Sequence, residues 1–406
     1  MTLEFEQLAS SMDKMVQELS RQQNRQKAQL DLVLEQLAAY AASWEEIEEK
    51  IGRAVVLADE KYYRSAVPLH HSHPLDQGIP PSNPPIQATI VACDGSQIVP
   101  DRHAPFLYYL INIGTIAYYH GSGDSPDVFT APTLKYPGAD ELDEDDLFTL
   151  NSALVSLWRD RFEIEALQDT IAKARPHTGP QLAILDQRLL YWPASGLPGR
   201  EGQKVVEAWQ QAMTGIREAG ACLAGYIDRP GKRSVLTMLH SLDIDQPGFK
   251  VSELYRSALY AGLSDIDLYD PILAPGERSP VFLDISQHNN TFRGRDKENE
   301  VCFFYLRTGE GKRQLARVDI PMWVARNENN VKTVHALLYD QCAILGSYPY
   351  VITRADEIAV VGRRDQEELE NRIALRLADL GMEARMTAKQ QSKEFARGGK
   401  TRHEGY

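Results

Sequence analysis

The sequence predicts an α/β protein: a mixed sheet flanked by helices, with a long helical arm at the N-terminus. Two observations predict the sheet. Short apolar runs rich in β-branched residues alternate with longer amphipathic stretches, the pattern of strands joined by helices. Other such runs, "PVFLDIS", "EVCFFYLR" and "LARVDIPMWVA", follow one another as strands, so part of the sheet pairs as hairpins. A third observation predicts the arm. Residues 3–60 almost lack Gly and Pro and carry Leu, Met, Val and Ile at helical spacing among Gln, Glu and Lys, which reads as long helices, with a coiled-coil hairpin as one arrangement.

The elements follow in order. After the arm, "VPLHHSHPLDQGIPPSNPPIQ" places His70, His71 and His73 in a proline-rich connector, which reads as a solvent-exposed loop rather than a metal site. "IQATIVAC" is a buried strand that ends at Asp94, where Gly95 and Ser96 break it. "APFLYYLINIGTIAYYH" supplies one or two further strands, and "LFTLNSALVSLWRDRFEIEALQDTIAKA" a helix. "QLAILDQRLLYW" repeats the opening pattern, an apolar strand with Asp186 at its end. Then come a helix at "KVVEAWQQAMTGIREAG", a strand at "CLAGYIDRP", a helix at "SVLTMLHSL", the hairpin strands, a helix at "VKTVHALLYDQCAILG", a strand at "EIAVVG" and a last helix at "DQEELENRIALRLADLGM". There is no internal repeat and no Gly-rich phosphate loop.

Composition narrows the function classes. The 406 residues exceed the usual size of one core, so one elaborated domain or two are both open. Hydrophobic residues at 43% and charged residues at 25% are ordinary for a globular protein. A net charge of −13 argues against coating nucleic acid with the whole surface and leaves room for a local basic groove. Part of that charge sits in "GADELDEDDLF", residues 138–148, which reads as a solvated loop and helix start. Cys93, Cys222, Cys302 and Cys342 have no CxxC spacing and read as buried free thiols. With no long apolar run and no signal-peptide pattern, the expected location is the cytoplasm.

Two strand-end aspartates with a helical glutamate between them suit two-metal phosphoryl transfer. There carboxylates hold paired divalent cations that activate water and stabilise charge on the scissile phosphate. Asp94 and Asp186 supply the strand ends, and either Glu163 or Glu165 the helix, unless those glutamates simply pair with Arg159 or Arg161 on the helix surface. Oxygen ligands of this kind favour Mg²⁺ or Mn²⁺.

The motifs and their order resemble NurA-type nucleases, RNase H-like enzymes that process DNA ends with the HerA hexameric ATPase. "ACDGSQ" resembles the family's Asp-Gly-Ser strand end, "RDRFEIEAL" its Arg-then-Glu helix and "LAILDQRLL" its Leu-Asp-Gly-Ser-Leu strand. "LARVDIPMWVA" is similar to its Arg-Val-Glu-Pro-Trp strand, and "GSYPYVITRADEIAVV" to its Tyr-Pro segment with a following Ala-His pair. The resemblance implies an RNase H-like fold over residues 88–395, preceded by an arm at 1–65 and a connector at 66–87 and followed by a tail at 396–406. It also makes Asp94, Glu163 and Asp186 the metal-binding carboxylates, choosing Glu163 over Glu165 by its distance from Arg159. Tyr348 and Asp356 join them from the C-terminal part, Tyr348 either touching phosphate or packing beside Pro349. Two positions depart from the family: Gln187 replaces its glycine, and Asp356, also able to ligate a hard cation, replaces its histidine.

For DNA contact, the basic residues near these motifs are Arg188, Arg229, Lys232 and Arg233, which suit phosphates without reading bases. The resemblance thus implies a nuclease trimming DNA ends in double-strand break repair, using two Mn²⁺ or Mg²⁺ per site, with a HerA-like ATPase as partner and a homodimer built partly on the arm. The alternative is a NurA-like protein that docks on such a ring and has lost cleavage.

Overall fold

The structure, a computed structural model, describes residues 8–57, 63–100, 107–136, 152–175, 178–193, 199–242 and 262–381. The acidic run at 138–148 and the tail at 396–406 lie outside the described residues. The strands are β1 (Ser65–Pro68), β2 (Ala88–Ile98), β3 (Tyr109–His120), β4 (Asp127–Lys135), β5 (Gln181–Leu185), β6 (Cys222–Asp228), β7 (Phe282–Ile285), β8 (Val301–Arg307) and β9 (Leu315–Pro321). The chain divides into two compact units. One comprises Met1–Ile86, Asp186–Leu190 and Cys222–Tyr350, the other Gln87–Leu185, Tyr191–Ala221 and Val351–Tyr406.

In the first unit β1, β7, β8 and β9 pair antiparallel in that order and β9 continues antiparallel onto β6. Over this sheet lies a core that takes Val33, Leu37, Ile47 and Ile51 from the N-terminal helices, Val235, Leu236 and Leu239 from the Ser234–Leu242 helix, and Phe282, Phe303 and Tyr305 from the strands. The second half of the arm is therefore a structural layer of this unit. The Ala9–Ala39 helix buries only that half; toward its start Leu8, Met12, Met15, Val16 and Leu19 are exposed at helical spacing. The Ser234–Leu242 helix begins where the fully buried Asp265 carboxylate accepts the Val235 and Leu236 N–H groups at 3.0 and 2.9 Å, and the Tyr305 hydroxyl at 2.7 Å. These bonds satisfy donors that a helix start leaves open.

In the second unit β2 is central. It pairs antiparallel with β3 along its whole length and parallel with β5 from Thr89–Gln181 to Cys93–Leu185, and β3 pairs antiparallel with β4, so the sheet is mixed. The Ser152–Lys173 helix packs across β2, β3 and β5 through Leu154, Val155, Leu157, Ile164, Leu167 and Ile171. The four cysteines are buried and free, as their spacing predicts. No described helix is long and apolar enough to cross a membrane.

Two local expectations are corrected, and one strand, β4, lies outside the sequence pattern. "EIAVVG" is not a strand: Glu357–Ala359 closes the Tyr350–Ala359 helix, whose buried Val351, Ile352, Ala355 and Ala359 recur at helical spacing. β4 carries no apolar run because it is mostly exposed and holds Pro132, features of a strand paired on one side only. The connector is not simply a loop, since Ser65–Pro68 forms β1 and Leu75 is fully buried.

Candidate active site

Asp94 is half-buried on β2, one residue past the last parallel pair, Cys93–Leu185. β2 itself runs on to Ile98 against β3, so Asp94 marks the end of parallel pairing rather than of the strand. Asp186 holds the corresponding position directly after β5, exposed, and falls among the residues of the first unit.

The remaining carboxylates gather within the second unit. Gly95 donates its N–H to Asp94 Oδ1 at 2.7 Å. Cys93 Sγ donates to the Glu163 carbonyl at 2.9 Å, tying the helix to β2 beside the site. Glu163 is 6% exposed, whereas Glu165 is partly exposed and bonds Arg161 at 2.7 Å. This places Glu163 inward and Glu165 outward. Arg159 Nε stands 3.1 Å from Glu163 Oε1, and Arg159 Nη2 is 3.1 Å from Asp160 Oδ1. The Nε contact lacks hydrogen-bond alignment, so it is an electrostatic pair that leaves a buried donor unsatisfied. Burial works against the Arg159 guanidinium, but Glu163, Asp160 and Asp94 outweigh it and hold its pKa above the ordinary value. Gly95 makes the crowding possible, because a Cβ there would lie 2.6 Å from Glu163 Oε1 and 2.7 Å from Arg159 Cγ.

Asp356 comes from the Tyr350–Ala359 helix, which is seated on β2 and β3 by three features. Ser96 and Asn112 side chains both donate to the Ala359 carbonyl, Asn112 at 2.8 Å. Gly114 lets the helix backbone approach, since a Cβ there would collide with the Ala359 nitrogen. Earlier in the same helix, Asp356 reaches Asp94 closely enough for their carboxyl groups to share a hydrogen bond. Burial raises the Asp94 carboxyl above its usual range, the Gly95 N–H opposes the rise, and the charge of Asp356 adds to it.

The donor chemistry fits a hard divalent cation. Two unit charges about 4 Å apart interact by roughly 4 kcal/mol at an effective dielectric of about 20, so adjacent carboxylates favour a shared proton or a cation between them. Asp94 and Asp356 are the residues that would hold one. Among the described residues no group of three His, Cys, Asp or Glu side chains converges at metal-binding distance, and Glu163 faces Arg159 instead.

The other expected residues lie in the first unit. Tyr348 packs edge-on against Tyr226, with ring centroids 5.3 Å apart. Arg229 is exposed, has a left-handed backbone (φ 43°) and stands 3.7 Å from Asp228. Arg233 lies just before the Ser234–Leu242 helix, accepting the Thr237 N–H at 2.9 Å through its carbonyl. Lys232 is half-buried, and burial together with Arg317 lowers its pKa. Arg188 and Lys232 share the surroundings of His288, whose pKa is lowered by burial and then by Arg64, Arg188 and Lys232. Arg64 and His288 carry no motif, and the sequence pattern offers no signal for them.

A fully buried ion network supports this basic group. Arg317 Nε donates to Asp319 Oδ1 at 2.7 Å, Nη2 donates to Asp284 Oδ2 at 2.9 Å, and the guanidinium covers the Phe303 ring at 3.7 Å. Burial disfavours the Arg317 charge, and Asp319 and Asp284 more than restore it. The other Asp319 oxygen accepts the Leu189 N–H at 3.2 Å, which fixes the segment carrying Arg188.

In the second unit a mixed sheet thus carries aspartate on its central strand, an inward glutamate on the covering helix and a further aspartate from a C-terminal helix. The NurA domain model matches residues 88–361, more than half of the chain. The chain belongs to the NurA domain family. Among solved structures it is similar to the NurA nuclease from Sulfolobus solfataricus, at 14% identity over 91% of this chain and 97% of that one, with a TM-score of 0.47. A second NurA crystal structure is 9% identical over 73% and 90% of the two chains, with a TM-score of 0.39. The catalytic domain of human endonuclease V is 10% identical over 74% and 92%, with a TM-score of 0.32. No curated protein matches the chain.

Proposed function

We propose that this protein is a divalent-metal-dependent deoxyribonuclease that trims DNA ends in double-strand break repair, working with a HerA-like hexameric ATPase. The setting of Asp94, with Asp356 beside it on one side and the Arg159–Glu163 pair across Gly95 on the other, inside the span matched to the NurA domain, is the observation that carries this reading. Asp94 and Asp356 would hold the first cation, and Glu163 and Asp186 are the further carboxylates that the family motifs supply. Two Mn²⁺ or Mg²⁺ ions, when bound, would supply the Lewis acidity that lowers the pKa of water and neutralises charge on the scissile phosphate. Arg159 holds Glu163 in place and keeps a guanidinium donor in a site otherwise rich in negative charge. Arg188, Arg229, Lys232 and Arg233 would bind the DNA backbone without selecting sequence. Tyr348 has a packing role against Tyr226 and is the weakest member of the proposed site.

The exposed stripe Leu8, Met12, Met15 and Leu19 supports a homodimer formed through the Ala9–Ala39 helices, since an apolar stripe of this spacing buries itself best against a copy. A cytoplasmic location fits a role on broken DNA ends.

The test is cleavage of labelled single- and double-stranded DNA with and without Mn²⁺, comparing wild type with Asp94→Asn, Glu163→Gln and Asp186→Asn. Metal-dependent cleavage by the wild type that falls at least about 100-fold in Asp94→Asn is the expected result. Glu163's engagement with Arg159 favours a second reading, a protein that docks on a HerA-like ring and no longer cleaves. Absence of cleavage with either metal, alongside retained binding to such an ATPase, would establish that reading instead.

A further inference from the structure

The histidines of the proline-rich stretch have no part in the nuclease reading, yet the fold gathers them. His70, His71 and His73, with Arg278, Glu48 and Glu328, line a pocket of about 620 Å³ in the first unit. Its size is that of sites for small organic ligands, roughly 300–1,000 Å³. Leu69, Pro280, Val281 and Val331 form its apolar wall.

Arg278 is the unusual member. It is 3% exposed, its Nη1 donates to the Ser279 carbonyl at 2.9 Å, and its guanidinium lies 5.7 Å from the Phe304 ring centroid. Among the described residues its buried Nε has no hydrogen-bond acceptor and no carboxylate is ion-paired with it. The two acids of the lining are engaged elsewhere: Glu328 pairs with Lys332 at 2.9 Å and Glu48 with His71 at 2.9 Å. Burial pulls the Arg278 pKa down to about 10, the mark of a cation stripped of water without full repayment.

The walls are fixed in advance. His70 Nε2 donates to the Ala325 carbonyl at 2.8 Å, since a carbonyl only accepts. His71 is held flat by stacking on Trp44, with ring centroids 5.7 Å apart and planes within 9°. Trp44 Nε1 also donates to the His73 carbonyl at 3.4 Å.

The geometry points to a binding site for a phosphate-bearing small molecule no larger than a nucleotide, its phosphate meeting the Arg278 guanidinium, which has no carboxylate partner among the described residues, and its body lying along the apolar and imidazole walls. Phosphate suits the position because a guanidinium without a carboxylate partner binds oxyanions in fixed geometry. The inference is independent of the nuclease reading, because none of its residues belongs to the carboxylate site.

Isothermal titration of the full chain with deoxyadenosine monophosphate, inorganic phosphate and deoxyadenosine tests it. Wild type is expected to bind the monophosphate at least tenfold more tightly than deoxyadenosine, with inorganic phosphate competing. Arg278→Gln should weaken that binding at least tenfold, and His73→Trp, which fills the pocket from its rim without touching the buried arginine, should do the same even if Arg278→Gln fails to fold. Asp94→Asn should leave binding unchanged. No binding by wild type, equal binding of deoxyadenosine, or binding that survives His73→Trp and is lost in Asp94→Asn would each overturn the assignment.

Discussion

Asp356 meets Asp94 across two elements, a C-terminal helix and the central strand, so that two carboxyl groups share one hydrogen-bonding position. The contact exists because Gly114 admits the helix backbone and because Ser96 and Asn112 hold its last carbonyl. This relationship makes the departure from the family's histidine testable.

Asp94 has its folded-state pKa raised, so the folded protein retains a proton that the unfolded chain releases. That contribution to stability is fully present below the ordinary carboxylate value of 3.8 and is lost as pH rises through the raised folded value. Above that raised value the metal-free protein carries the full repulsion, and there Asp356→Asn should raise its melting temperature. The same variant should weaken Mn²⁺ affinity by about 10- to 100-fold, the usual effect of removing a metal-site group. Differential scanning fluorimetry against Mn²⁺ concentration measures both; an unchanged Mn²⁺ response in Asp356→Ala would remove this residue from the site.

Gly95→Ala should damage catalysis more than stability. The added methyl must displace either the Glu163 carboxylate or the Arg159 chain. Overpacking of this kind costs about 1–3 kcal/mol, whereas a misplacement near ~1 Å costs about 100-fold in rate. Urea denaturation and a cleavage assay on the same sample separate the two effects.

Arg317→Met should be among the most destabilising single changes in the first unit. It leaves Asp284 and Asp319 buried without their cation, a loss of about 3–5 kcal/mol. Adding Asp284→Asn should recover part of that loss, because the two positions belong to one network and their effects do not add. Chemical denaturation of both variants gives the coupling directly.

Met15→Glu with Leu19→Glu tests the arm. Both side chains are more than half exposed, so stability of the folded chain should change by less than about 0.5 kcal/mol per site. Light scattering is expected to show a dimer for wild type and a monomer for the double variant; a monomeric wild type across micromolar concentrations would exclude the arm as a dimer interface.

Much of this architecture is readable from residue pattern alone, for a physical reason. The strands of the buried sheet carry continuous β-branched runs, and burial on both faces is what writes such runs into a sequence. β1 and β4 escape that reading because one is four residues long and the other is exposed and interrupted by Pro132. The end of the Tyr350–Ala359 helix reads as a strand because Ile358, Val360 and Val361 are β-branched and nearly consecutive, while its helical periodicity depends on Val351, Ile352 and Ala355 upstream. At the site, Asp94, Glu163 and Asp356 stand in motifs, so their positions can be named. The Arg159–Glu163 pair is the i,i+4 pairing that the helix pattern offers, whereas the company of Arg64 and His288 around Arg188 and Lys232 arises from tertiary neighbours that no local pattern encodes.

The first unit's core joins Val33, Leu37, Ile47 and Ile51 to residues that run from Val235 to Leu315. On a ribosome these N-terminal apolar faces emerge long before their partners. At about 5–20 residues per second the interval is on the order of tens of seconds, during which the nascent arm presents unburied surface of the kind that chaperones bind. Synthesis of this protein should accordingly depend on such holding more than its modest size suggests, and slowing translation after the arm should lower the yield of soluble chain.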